Sequence, residues 1–362
     1  MENYTYNKYR RKTKKIRVGG LFIGGDAPIS VQSMTNTDGS DFEATYRQVK
    51  ALCDAGCEIV RIAIPDSSCV KTIYKLKEAQ VPCALVADIH FDYRLALEVA
   101  EAGIDKIRIN PGNIGDNGRI KAVADKCRER DIPIRIGVNS GSVDRKILAR
   151  YGGVTAEALA ESATENALLL EQFDFENIVL AVKSSDVRTM IKANRILAEA
   201  CDYPLHIGVT EAGGDRRGSI KGAIGIGALL ADGIGDTLRV SLTADPTVEV
   251  TRAREILSSL GLDTKNKINI VSCPTCGRTK VGMIETLSAL EARVSEIKTS
   301  RPIKIAVMGC AVNGPGEARE ADIGIAGGDG EFLLFKKGEK IRKLTVENAV
   351  DELINEINRT QF

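Results

Sequence analysis

Three cysteines near the C-terminal end of the chain are spaced for metal chemistry. SCPTCGR places Cys273 and Cys276 in a C-x2-C turn, and MGCAVNGPGEA places Cys310 at the end of an apolar run entering a Gly-Pro loop. Two thiolates three positions apart fit two ligands of one centre, and the free amides of a Gly-rich loop suit a cluster sulfur or a tight turn. No fourth cysteine lies near, so a four-cysteine zinc ribbon is incomplete. Glu317, seven positions after Cys310, is the natural fourth candidate. Three thiolates and one exchangeable oxygen suit an iron–sulfur cluster that opens a position for substrate. A structural zinc site built from the same three cysteines and one other residue is the alternative. The other six cysteines, 53, 57, 69, 83, 127 and 201, lack ligand spacing and read as core or incidental thiols.

A second constellation is cationic. AGCEIVRI, AGIDKIRIN and DGIGDTLRVS each carry an arginine inside an apolar run, at Arg61, Arg108 and Arg239; PIRIGVN adds Arg135 and NIVLAVKSS adds Lys183. In a strand, side chains alternate faces, so each cation points opposite to its aliphatic neighbours. Five cations facing one interior repel one another and lose solvation. Asp88 and Glu211 supply some compensation, but two acids do not neutralise five bases. A polyanionic ligand is implied, and the arginine fork matches phosphate oxygens. Asn110 and Ser241 lie two positions after Arg108 and Arg239, and Asn139 four after Arg135, on the same face and nearer the strand ends. They offer neutral hydrogen bonds to the ligand. His90 follows Asp88 by two and reads either as a packed strand-end histidine or as part of the chemistry. His206 begins a strand and reads as core. Lys183 in a barrel could form a Schiff base, although a phosphate contact explains it more simply.

The elements that position these groups form a regular alternation from residue 29 to about 262. Strands are predicted at 29–34, 58–64, 83–89, 106–110, 133–139, 177–184, 205–210 and 236–242, separated by amphipathic helices. Ser40 and Glu43 read as a capping box on the first helix, with Gly56 and Gly103 at helix C-terminal ends. Eight βα units in about 235 residues favour a closed (β/α)8 barrel of the TIM type over an open doubly wound sheet. Beyond the polar segment GLDTKNK the order turns irregular. A strand, a helix from about residue 280, two strands and a hairpin around Gly338 lead to a final helix with Val346, Ala349, Val350, Leu353, Ile354 and Ile357 on one face. The expected division is a barrel over 1–262, binding a phosphorylated or diphosphate ligand, and a smaller α+β domain over 263–362, carrying the metal or cluster ligands.

Composition narrows the function classes. Lys plus Arg total 50 against 49 for Asp plus Glu, and aromatics are 4% with no Trp, which speaks against a nucleic-acid binder. The most apolar stretch, GAIGIGALLADGIG, is too short to span a membrane. The basic N-terminus lacks the apolar run of a secretory signal and reads as a solvated arm, so a cytoplasmic location is expected. No G-x-G-x-x-G follows a strand, so no built-in nicotinamide site is expected, and electrons should come from a separate carrier.

SCPTCGR and MGCAVNGPGEA, after a barrel carrying VQSMTNTD, ADIHFD, RINPGN, VNSGS and VTEAGG, resemble the bacterial 4-hydroxy-3-methylbut-2-en-1-yl diphosphate synthases. The resemblance runs from about Arg17 to the C-terminus and is to the two-domain bacterial form. It implies a TIM-type barrel followed by a domain like a sulfite-reductase repeat. It also implies a [4Fe-4S] cluster on Cys273, Cys276, Cys310 and Glu317, and flavodoxin or ferredoxin as electron donor. The implied reaction is reductive ring opening of 2-C-methyl-D-erythritol 2,4-cyclodiphosphate in the non-mevalonate isoprenoid pathway. Arg61, Arg108, Arg135, Lys183 and Arg239 would hold the diphosphate, with Asn110, Asn139 and Ser241 orienting it. Asp88, His90 and Glu211 would move protons or position the cations. A lyase or aldolase with a zinc-stabilised tail, and a binding module for phosphorylated metabolites or RNA, are the rival classes. The short linker and the resemblance both point to a head-to-tail homodimer, since the seven residues of GLDTKNK reach at most about 25 Å.

Overall fold

The computed structural model describes residues 10–263, 268–310 and 318–360. The chain divides into two compact units, Met1–Leu262 and Asp263–Phe362. In the first, a short hairpin of β1 (Ile16–Val18) and β2 (Leu21–Ile23) precedes eight strands. These are β3 (Ser30–Met34), β4 (Ile59–Ala63), β5 (Ala84–Asp88), β6 (Lys106–Ile109), β7 (Ile134–Asn139), β8 (Ile178–Lys183), β9 (His206–Ile207) and β10 (Thr237–Leu238). All eight run parallel in the order β8-β7-β6-β5-β4-β3-β10-β9, and a bridge between Leu180 and Leu205 closes the ring. The outward residues of the strands, such as Val31, Ile62, Leu85, Ile107, Ile136 and Leu180, join the helices in one large core.

Most barrel helices start on aspartate, the exceptions being those capped by Asn110, Thr155 and Gly214. Asp41, Asp66, Asp92, Asp116, Asp144, Asp186 and Asp245 each accept a backbone N–H from the first turn of the helix that follows. This corrects the capping box expected at Ser40 and Glu43: Asp41 caps that helix through Ala44, while Ser40 bonds Asp38 instead. Gly56 and Gly103 take positive φ, 98° and 78°, just past helix ends.

The solvated N-terminal arm is also corrected, from Arg10 onward. Arg10 is buried and pairs with buried Asp236 at 2.7 Å. Arg11 donates to the carbonyls of Ala198, Cys201 and Tyr203, at 3.1, 2.9 and 2.7 Å. The hairpin then packs Ile16, Val18 and Ile23 on Ile59, Ala84, Val86 and Val179, plugging the end of the barrel where the strands begin.

The second unit is a five-stranded sheet in the order β11 (Ile268–Ser272), β12 (Ile303–Met308), β13 (Ile323–Gly327), β14 (Glu331–Lys336), β15 (Glu339–Thr345). The first three strands are parallel and the last three antiparallel. Helices Met283–Ala292 and Ala349–Thr360 cover it, the latter burying Leu353, Ile354 and Ile357.

Candidate active site

The carboxylate of Asp88, at the end of β5, is the hub of the lumen. Its Oδ2 accepts from Arg61 Nη2 at 2.8 Å and from His90 Nε2 at 3.0 Å, and its Oδ1 accepts from Arg108 Nη1 at 3.0 Å. Burial raises the acid's pKa. The His90 hydrogen bond and the charges of Arg61 and Arg108 more than reverse this, so Asp88 sits well below the usual carboxylate range. Burial pushes the Arg61 guanidinium down to about 10 despite Asp88. His90 leaves 52% of its side chain exposed and so stands at the rim.

Among the described residues neither Arg135 nor Lys183 hydrogen-bonds a carboxylate, although Asp88 acts on Arg135 and Glu249 on Lys183 at longer range. Arg135 is 1% exposed and its Nε has no partner among the described residues. Burial, then the charges of Arg61 and Arg108, depress its pKa. Lys183 is depressed by burial and by Arg135, Arg239 and Arg61. Space for these long side chains comes from glycine. A Cβ on Gly137 would stand 2.7 Å from Arg108 Nε, and one on Gly208 would stand 2.4 Å from the Arg239 carbonyl and 3.3 Å from Lys183 Nζ. Gly137 lies in the quoted PIRIGVN motif and Gly208 directly precedes VTEAGG; neither carries a signal of its role in the sequence.

Three features were missed or misassigned. Lys106, two positions before Arg108 on β6, also faces the lumen; it is fully buried, and no described protein atom accepts from its Nζ. The KIRIN alternation carried that signal. Glu211 does not compensate the cations. It lies exposed beyond β9 with φ 53° and bonds none of the described lumen cations. Its place is taken by Glu249, from the first turn of helix Pro246–Ser259, which accepts Arg239 Nε and Nη2, both at 3.0 Å. A carboxylate on a helix carries no strand-period signal. The interior thus gathers six cations, Arg61, Lys106, Arg108, Arg135, Lys183 and Arg239, against Asp88 and Glu249.

The neutral candidates separate. Asn110 is buried, caps the short helix Pro111–Ile114 through Gly112 N at 3.2 Å, and keeps an unpaired Nδ2. Asn139 is exposed at the end of β7, where its N–H donates to Ser142 Oγ at 2.9 Å. Ser241 lies half-buried past the end of β10, whose ladder stops at Leu238, short of the expected residue 242. His206 is buried at the start of β9, its ring nitrogens without partners among the described residues.

In the second unit, Cys273 and Cys310 follow the ends of neighbouring parallel strands β11 and β12. Cys273 N donates to the Val307 carbonyl at 3.3 Å, and Gly309 N donates to Cys273 Sγ at 3.1 Å. Backbone and side-chain hydrogen bonds from Arg278 pull the exposed Cys276 thiol down, and the Arg278 charge responds to both Cys276 and Cys310. An amide-bonded sulfur and an arginine beside two thiols are the donor chemistry that thiolate ligands need. Among the described residues no three His, Cys, Asp or Glu side chains converge to metal-ligand geometry. Glu317 lies outside the described residues.

The comparisons agree over both units. The GcpE TIM-barrel domain family matches residues 13–254, and the GcpE protein C-terminal domain family matches residues 269–359. The chain is 58% identical over 349 residues to the 4-hydroxy-3-methylbut-2-en-1-yl diphosphate synthase (flavodoxin) of Ruminiclostridium cellulolyticum, covering 96% of this chain and 98% of that one. It is 54% identical to the same-named protein of Clostridium perfringens, covering 95% and 98%. Among solved structures, a type I 3-dehydroquinate dehydratase from Clostridium difficile superposes with a TM-score of 0.52 at 13% identity, over 68% of this chain and 98% of that one. That likeness speaks to the barrel fold alone.

Proposed function

Because the chain belongs to the GcpE family, we propose that it converts 2-C-methyl-D-erythritol 2,4-cyclodiphosphate to 4-hydroxy-3-methylbut-2-enyl diphosphate, as an oxidoreductase of isoprenoid precursor synthesis that draws electrons from flavodoxin. Two electrons and two protons enter, the ring C–O bond to the diphosphate breaks, and one water leaves. The observation that carries this reading is the surplus of lumen cations: Arg61, Lys106, Arg108, Arg135, Lys183 and Arg239 face two acids, Asp88 and Glu249, among the described residues. Six cations against two acids leave a desolvated positive surplus that fits the negative charges of a cyclic diphosphate. Arg61 and Arg108, fixed by Asp88, and Arg239, fixed by Glu249, flank it. Asn110 contributes its unpaired Nδ2, and Asn139 and Ser241 stand near the mouth to orient the ligand. His90 stands at the rim against Asp88, and Glu211 stands exposed beyond β9; His90 and Glu211 are the candidates for proton transfer, while ionised Asp88 positions Arg61 and Arg108.

Cys273, Cys276, Cys310 and Glu317 would hold a [4Fe-4S] cluster, which would supply the electron transfer when bound. The amide donated to Cys273 Sγ and the position of Arg278 support this assignment. The chain acts in the cytoplasm in this reading; no helix among the described residues is long and apolar enough to cross a membrane. Pairing of two chains head to tail is proposed from the short linker sequence.

Anaerobic purification tests the function. Brown protein with iron and acid-labile sulfide, turning over the cyclodiphosphate with reduced flavodoxin, is expected. Colourless zinc protein with a borohydride-trapped adduct on Lys183 would replace this reading with the lyase. Cys310→Ser should lose iron, and Glu317→Ala should keep much of its iron yet lose turnover. For the dimer, mixing inactive Cys310→Ser and Glu211→Gln chains under subunit exchange should partly restore activity; no recovery despite exchange refutes it.

A further inference from the structure

Glu249 stands on none of the eight strands, yet it joins three points of the barrel. It is 3% exposed. Its Oε2 accepts from Arg239 Nε at 3.0 Å and from Ser33 Oγ at 2.8 Å. Its Oε1 accepts from Arg239 Nη2 at 3.0 Å and from the backbone N–H of Leu242 at 3.0 Å. Four donors occupy about all the lone-pair positions a carboxylate offers. Ser33 belongs to β3, Arg239 follows β10, and Leu242 is the residue after Ser241.

We infer that Glu249 is a positioning residue for the diphosphate grip, fixing Arg239 and Ser241 together. This rests on the reading proposed above. The Nε–Nη2 edge of Arg239 is committed to the carboxylate, so the guanidinium offers only its Nη1 side, which lies 3.6 Å from Met34 Sδ. Rotation about the long side chain is thereby removed. Pinning the Leu242 amide fixes the backbone on the far side of Ser241, so the serine is held between two groups bonded to one acid. Arg239 brings no surplus charge, because Glu249 balances it; its contribution is a fixed direction. The surplus lies with the other lumen cations, Lys106, Arg135 and Lys183 among them. The charge for binding and the geometry for binding thus reside on different cations.

Glu249→Gln is the test. One oxygen becomes an NH2 group that cannot accept from Arg239 or from its other donor, while volume is kept. Binding of the cyclodiphosphate to the anaerobic holoenzyme is measured by calorimetry, with the cluster absorption and melting temperature recorded for each variant. Binding should weaken by about tenfold or more, with the cluster spectrum unchanged. In an Arg239→Leu background the same substitution should cost clearly less than in the parent, since part of its effect runs through that arginine and only the part through the Leu242 amide and the charge beside Lys183 remains. Glu249→Asp, which restores the charge, should recover part of the loss. Should Glu249→Gln fail to fold, Ser33→Ala removes one donor that locks the carboxylate and should weaken binding by about threefold. Unchanged binding in the folded variants, or losses that multiply independently of Arg239→Leu, overturns the inference. A parent protein that does not bind the cyclodiphosphate overturns the functional reading instead.

Discussion

Replacing Lys106 with methionine should stabilise the protein. Lys106 Nζ is fully buried, is reached by no described protein acceptor, and its pKa is driven down by burial first and by the charge of Arg135 second. Leaving a buried donor unpaired costs about 1–3 kcal/mol. Methionine of similar length fills the same space without the polar atom, so a gain of about 2 kcal/mol is expected. For a unit of this size that is roughly 4–8 °C in melting temperature. The pH dependence follows from linkage. The amine titrates near 10.4 in the unfolded chain and lower in the fold. Between those two values the unfolded chain binds more protons, so the parent gains stability as pH rises through that window, by at most about 1.4 kcal/mol per pH unit. Methionine removes this term. The advantage of Lys106→Met should therefore be largest at low pH and shrink as pH rises toward about 10. Thermal unfolding of the full chain, followed by circular dichroism from about pH 6 to about pH 9, covers the useful part of this range. A destabilised variant, or an advantage that grows with pH, would show that the lysine charge is compensated in the fold, and would sink the reasoning.

Three further outcomes are expected. Arg10→Met removes the cation that balances buried Asp236, which keeps the neutral donors of Thr13 and Leu205, and loss of one partner of a buried ion pair costs about 3–5 kcal/mol, read as a lower midpoint in denaturant melts. Gly137→Ala sets a methyl 2.7 Å from Arg108 Nε and must displace that guanidinium; cyclodiphosphate binding should fall by about tenfold, with iron content unchanged. Arg108→Leu should weaken the same binding while leaving the cluster spectrum intact, and a variant that binds as tightly as its parent would remove this residue from the site.

What the sequence discloses follows the distance over which each signal acts. Alternation along a strand is local, so the eight strands and the inward face of Arg61, Arg108, Arg135 and Lys183 are legible from residue types two apart. The same rule applied to KIRIN also reaches Lys106, which escapes notice only because a lysine opening a strand reads as a solvated end. Pairing between elements is not local. The acid that meets Arg239 is on the helix after β10, and its third anchor, Ser33, is on β3, more than two hundred residues earlier. They meet because the ring closes β3 against β10. Glu211, near Arg239 in no such sense, was the wrong acid for that reason. The N-terminal arm fails in the same way. A run of basic residues signals solvation only while its partners are unknown, and here Arg10 and Arg11 find Asp236 and three carbonyls late in the barrel. Charge in this protein is therefore readable as a quantity from sequence and as an address only from the closed barrel. The residues that aim the cations, Glu249, Gly137 and Gly208, are legible only there.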